Sequence, residues 1–254
     1  MGKKILAAMA AMMMLAWGGM GARGEGMVTV DLNSRGPGEE DHGSWQWTSA
    51  GVRISQPGEY LISGRLEEGM IWVSCAEKGK VTMYLNGAEI HHENGPAIRI
   101  EECSPRAVIS LVEGSENILS DGDDLTFEGD EEPDGVIYSR SDLTIEGSGS
   151  LRVTAGAMSG IVSKDDLRIE GGSLTIQAPK HGIKGKDCVE ISGGKIRVTA
   201  GKDGIKATNR KDPEKGYVAV SGGEISIACG DDPISFITKG IMTGGTLEMA
   251  KEAE

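Results

Sequence analysis

The chain has 254 residues, a formal net charge of −13 and 39 glycines, but only 4% aromatic residues. The acidic balance excludes recognition of a phosphate backbone, which needs a basic footprint. Abundant glycine with few aromatics argues for many tight corners, and the length suffices for one elongated unit.

Residues 1–24 read as a signal peptide. Lys3 and Lys4 precede an apolar run from Ile5 to Trp17, and small residues follow at Gly18, Gly19, Gly21 and Ala22. The run is too short for a membrane span, with an uncleaved anchor as the other reading. The first cysteine is Cys75, so no lipid-acceptor cysteine follows the cleavage region. A secreted or periplasmic protein with no membrane attachment after cleavage is expected. Residues 25–43 are acidic and glycine-rich, the composition of a poorly ordered linker.

From residue 44 to 254 the pattern is extended. The run from Ser44 through Trp45 and Trp47 leads into strands split by a turn at Pro57-Gly58, and is read as the N-terminal cap. Ile71/Val73 and Ile98/Ile100 are equivalent inward pairs in longer, irregular coils. Residues 113–134, with Asp121 and Asp134 among their acids, contain no lysine or arginine. A strict period then sets in. Gly160, Gly182 and Gly204 lie 22 residues apart and each precedes an isoleucine. Each interval holds two alternating apolar runs, Leu167/Ile169 and Leu174/Ile176, then Val189/Ile191 and Ile196/Val198, with glycine pairs between them. Alternation marks strands with one buried face, and a fixed period near 20 marks a solenoid. A leucine-rich repeat would need a leucine-asparagine consensus, which is missing. The expected fold is all-β, a single parallel β-helix of 22-residue coils. The coil that starts at Gly204 carries an insertion of 7 residues around ATNRKDPEKGY, and the last coil has no obvious cap.

Stacking at one period creates chemistry. Asp165 stands over Asp187, and Asp203 over Asp232 with Asp231 beside it, if the insertion loops out. Carboxylates about 5 Å apart repel, and a shared calcium ion would remove the repulsion. Asp121 and Asp134, in the acid-rich segment, are further calcium candidates. The competing reading is a solvated stripe neutralised by Lys164 and Lys186. Lys180, Lys184, Lys186, Lys202 and Lys206 form a local basic patch, with Lys180/Lys202 and Lys184/Lys206 in register. Such a patch on an acidic protein suits an anionic ligand such as a uronate, although lysines placed for solubility give the same pattern. Trp72 lies between inward Ile71 and Val73 and should point outward, as a sugar platform or as part of the cap with Trp45 and Trp47. Cys75 and Cys103 each follow an equivalent strand one coil apart and are candidates for a disulfide; Cys188 and Cys229 read as small buried residues. The histidines receive no role.

The runs NGAEIHHENGPAIRI, LVEGSENILSDG, VIYSRSDLTIEGSGSLRV, GIVSKDDLRIEGG, GIKGKD and DGIKATN through KGYVAVSGGEISI span about residues 55–249. They resemble a secreted bacterial β-helix family of carbohydrate-binding domain proteins, itself similar to pectate lyases. The resemblance implies a right-handed helix, calcium sites, and non-catalytic binding to cellulose and to acidic, pectin-like polysaccharides. That family tends to place aspartate before the coil-starting glycine; here the positions are Ser159, His181, Asp203 and Asp232. The run ending at Lys206 also resembles the lysine-base pattern of pectate lyases, and Lys184 is its copy one coil earlier. A lyase using Lys206 or Lys184 is thus the second reading, and a structural, adhesin-like surface protein the third. A monomer is expected.

Overall fold

The computed structural model describes residues 26–34, 41–123 and 133–251. The segment read as a signal peptide, and most of the acid-rich stretch between Asp121 and Asp134, lie outside the described residues. The chain is all-β with parallel sheets, an arrangement compatible with a β-helix. Each regular repeat contributes three strands, where the apolar pattern had indicated two. Ser159–Ser163, Asp166–Ile169 and Ser173–Ala178 are followed by Ile183–Gly185, Cys188–Ile191 and Lys195–Ala200. The additional strand begins at the glycine-isoleucine step. It is only three residues long in the later repeat, so alternation had too few positions to register there.

The first strands of successive repeats build a nine-stranded sheet, from Trp45–Thr48 to Ile234–Ser235. The second and third strands belong to one fifteen-stranded sheet. They are joined by the twelve-residue strand Val81–His92, which pairs with Ala107–Leu111 along one half and Glu116–Asp121 along the other.

The register obeys the 22-residue period. Ile161 pairs with Ile183 and Ile183 with Ile205; Leu174 pairs with Ile196, and Leu167 with Val189. All of these are buried, and each fully buried side chain contributes about 1.5–3 kcal/mol. The glycine pair between second and third strands divides two tasks. Gly194 adopts φ +92°, as Gly172 does at +87° one repeat earlier, a region that L side chains rarely enter. A Cβ on neighbouring Gly193 would lie 2.4 Å from the carbonyl oxygen of Glu170 in the repeat below.

One expectation about the ends changes. Within the supposed linker, Val28–Asp31 forms a strand that pairs parallel to Gly58–Leu66, with Val28 opposite Tyr60. Val30 from this strand is fully buried, so the core begins earlier than the composition suggested. Trp45–Thr48 and Gly51–Ile54 pair antiparallel, unlike the other strand pairs described. Trp45 and Trp47 are buried there, with His42 stacked on Trp45 at 4.1 Å between ring centres. At the opposite end, Phe236, Met242 and Met249 are exposed, and no cap lies over them among the described residues.

The expected Cys75–Cys103 disulfide is not made. The backbone brings the two positions side by side, with Cys75 N donating to Glu102 O, but all four cysteines are free thiols. Cys75 Sγ turns to the Ile54 carbonyl, whereas Cys103 Sγ turns to Arg106. Both are buried and pack as small apolar groups. Burial pushes the Cys75 thiol up to about 12.

Candidate functional site

In three successive repeats the corner after the first strand carries a cation. Ser139 pairs with Ser163, and Ser163 with Gly185, so the residues that follow stack in register: Arg140, Lys164 and Lys186. The hydrogen bonds Lys164 N to Ser139 O (2.7 Å) and Lys186 N to Ser163 O (2.9 Å) fix the alignment. The corner is held from inside by buried serines. Ser139 Oγ donates to Ser141 O, and Ser163 Oγ to Asp166 O. Three positive charges therefore recur at roughly the strand spacing of 4.8 Å.

These cations border an open groove of about 520 Å³, lined by Tyr138, Arg140, Lys164, Asp165, Lys186, Asp187 and Lys215. Tyr138 forms part of its floor, with Lys164 Nζ 5.5 Å from the ring centre. Arg140 bonds Glu101 at 2.9 Å, and Lys164 reaches Asp134 at 3.1 Å. Lys186 is exposed and has no ion-pair partner among the described residues. Four cations and two carboxylates line the groove, on a chain whose overall charge is strongly negative.

Of the residues singled out from the sequence, Asp165, Asp187 and Lys186 meet in this groove. Asp165 does stand beside Asp187. Burial, then the hydrogen bond with Asp187 and the charge of Asp142, push the Asp165 carboxyl up to about 6. Asp187 is buried, which alone would raise it, but hydrogen bonds from Lys215 and Asn209 hold it below the usual carboxylate range. The oxygens of Asp142, Asp165 and Asp166 lie within 4.8 Å of one another. Arg168 bridges two of the three, at 2.6 Å from Asp166 and 3.6 Å from Asp142.

The remaining candidates are drawn into other pairings. Asp134 receives Lys184 at 2.5 Å as well as Lys164. Asp203 is buried and receives Lys206 at 2.6 Å, with the Asp232 backbone N donating to its other oxygen. Lys184 and Lys206 thus each pair their Nζ atoms with a carboxylate. Asp231 and Asp232 are exposed, and Asp232 meets Asp203 through its backbone N. Lys180 Nζ contacts Met158 Sδ at 3.1 Å, and Lys202 is exposed. Trp72 is half-buried under the Arg53 guanidinium, 4.9 Å from the ring centre, so a cation already covers the face a sugar would use.

The column Ser159, His181, Asp203 contains the residue types of a hydrolytic triad. Ser159 is fully buried, however, and its Oγ accepts from the His181 backbone N. His181 Nδ1 lies 3.1 Å from Asp203 Oδ2 but out of line for a hydrogen bond. Burial, then the nearby charge of Lys206, lowers the imidazole from its usual value.

Calcium, implied by the family resemblance, can be tested against these donors. Asp134, Asp187 and Asp203 have given their oxygens to lysine, asparagine or backbone N–H groups and do not fit. Asp121 differs. Its Oδ1 accepts from Gly156 N at 2.7 Å, while Oδ2 is buried without a partner among the described residues, and burial pushes the carboxyl up to about 6.

A pH signature follows. Asp121 and Asp165 bind a proton more tightly folded than unfolded, where the carboxyl sits near ~3.9. The associated stability is fully present below that value and is lost as pH rises through about 6. His181, lowered by burial, contributes with the opposite sign over this range, so the signature is read from the variant: Asp165→Asn is expected to lower the urea midpoint at pH 5 relative to that at pH 7. An unchanged difference between the two midpoints in that variant would overturn the assignment.

Comparison with known proteins places this parallel-β chain in a family. A family model described as carbohydrate-binding domain-containing protein matches residues 48–254. A carbohydrate-binding domain-containing protein of Acetivibrio thermocellus is 39% identical over 247 residues, covering 92% of this chain and 86% of that protein. A solved structure, the gadolinium derivative of the polysaccharide lyase-like protein from C. thermocellum, superposes with a TM-score of 0.76. It shares 33% identity and covers 89% of this chain and 94% of the other. The chain belongs to the carbohydrate-binding domain-containing family.

Arg140, Lys215, Asn209 and Tyr138 were not picked out from the sequence. The step from Arg140 to Lys164 is 24 residues, off the strict period, and Lys215 lies in the insertion. The Lys164/Lys186 register is visible in the sequence, where neutralisation of the aspartates is the competing reading and Lys186 also belongs to the basic patch.

Proposed function

We propose that the protein is a secreted, non-catalytic polysaccharide-binding protein that holds acidic, pectin-like chains, with its strands wound as a single right-handed parallel β-helix. The observation that carries this reading is the Arg140–Lys164–Lys186 ladder, one cation per repeat along an open groove floored by Tyr138. A linear polymer with one carboxylate per sugar can meet successive repeats with successive charges, each a charge-assisted hydrogen bond. Family membership supports a polysaccharide ligand. Cellulose is the weaker candidate, because neutral sugars call for open aromatic faces. Trp45 and Trp47 are buried, and Trp72 lies under Arg53. Where calcium contributes, Asp121 is the proposed ligand, and sugar binding in the groove does not depend on it.

The test is retention on immobilised polygalacturonate and on cellulose, with and without chelator, across a salt series. Retention on polygalacturonate that survives chelator and falls with salt is expected, since exposed ion pairs are screened. Retention on neither polymer, or on cellulose alone, would sink the proposal.

A further inference from the structure

We infer that Lys215 is a built-in cation that takes the place of a divalent ion between the stacked aspartates Asp165 and Asp187. The inference stands apart from the polysaccharide reading, and its experiment contains no sugar.

Asp187 is 4% exposed, and a carboxylate so buried must be compensated. Both of its oxygens are met from one segment. Asn209 Nδ2 donates to Oδ1 at 2.5 Å and Lys215 Nζ to Oδ2 at 2.5 Å. That segment is the 7-residue excess by which its repeat departs from the period: Tyr217 pairs with Cys188, 29 residues earlier, where 22 would be regular. Its internal bonds aim the ammonium. Asn209 Oδ1 accepts from Lys211 N at 2.9 Å and Asp212 N at 3.1 Å, and Lys215 N donates to Asp212 O at 3.1 Å. Gly216 N then closes onto Asp187 O. The loop is thus tied to Asp187 by side chain and backbone together.

Calcium takes six to eight oxygen ligands. Asp187 has none left to give, and Arg168 engages Asp142 and Asp166. A tethered ammonium is also present at a high effective concentration whatever the calcium level outside. Asp187, the buried half of the aspartate pair that invites an ion in the sequence, is therefore already neutralised by the chain itself.

Calcium titration by calorimetry tests this on the full chain, comparing wild type with Lys215→Met and Lys215→Arg. Lys215→Met is expected to bind one more ion than wild type, with a Kd of about 10⁻⁴–10⁻³ M, the range of weak extracellular sites. The extra ion should vanish when Asp165→Asn is added, and Lys215→Arg should gain none. The melting temperature of Lys215→Met should fall in chelator and recover in calcium. A folded Lys215→Met that binds no more calcium than wild type would overturn the inference. So would a wild-type protein that loses an ion on Asp165→Asn alone, a measurement that does not depend on any Lys215 variant folding.

Discussion

Reversing two rungs of the cation ladder, Lys164→Glu with Lys186→Glu, is expected to weaken retention on polygalacturonate by more than about 100-fold. Each exchange removes one charge-assisted contact and inserts a repulsive one, and contacts to charged groups are worth about 1.5–3 kcal/mol. Two of them together come to about 3–6 kcal/mol, above the roughly 2.8 kcal/mol that makes a factor of 100. Lys164 also pairs with Asp134, so the variant's circular dichroism and melting curve must accompany the binding data. The matched exchange Lys195→Glu with Arg197→Glu alters the separate strand Lys195–Ala200 and leaves the groove intact. If both pairs weaken retention equally, the ligand responds to overall charge and the groove is not its site.

The second large effect concerns the core. Ile183→Ala removes the middle member of the Ile161–Ile183–Ile205 ladder. All three are fully buried, and the strand Ile183–Gly185 has only three residues with which to adjust. A loss of about 2–5 kcal/mol is expected from transfer and cavity costs together. That is a large share of the roughly 5–15 kcal/mol that keeps a domain folded. Chemical denaturation reads it directly, and a loss below about 1 kcal/mol would mean that the inner ladder is not the source of cohesion.

These two predictions draw differently on the sequence. The core was legible, because stacking converts a period in the chain into a ladder in space: Leu174 over Ile196 and Leu167 over Val189 follow from counting. The register of Asp165 with Asp187 was legible for the same reason. What counting could not supply was whatever broke the count. Lys215 comes from an insertion, Arg140 from a 24-residue step, and Val28–Asp31 from a four-residue strand ahead of the repeats. Nor could counting tell which partner a charge would choose. Lys184 reaches Asp134, 50 residues away, through the outer face of the sheet.

The ladder's construction carries one more consequence. Arg140, Lys164 and Lys186 belong to three separate repeats, each of which presents its cation without help from a shared loop. The groove is in this sense a ruler, graduated at about 4.8 Å. Duplicating one 22-residue unit in the gene would lengthen it by one mark and leave the existing marks where they stand. Longer or shorter reach along a polymer is then open to evolution by copying and deletion, with no need to redesign a pocket.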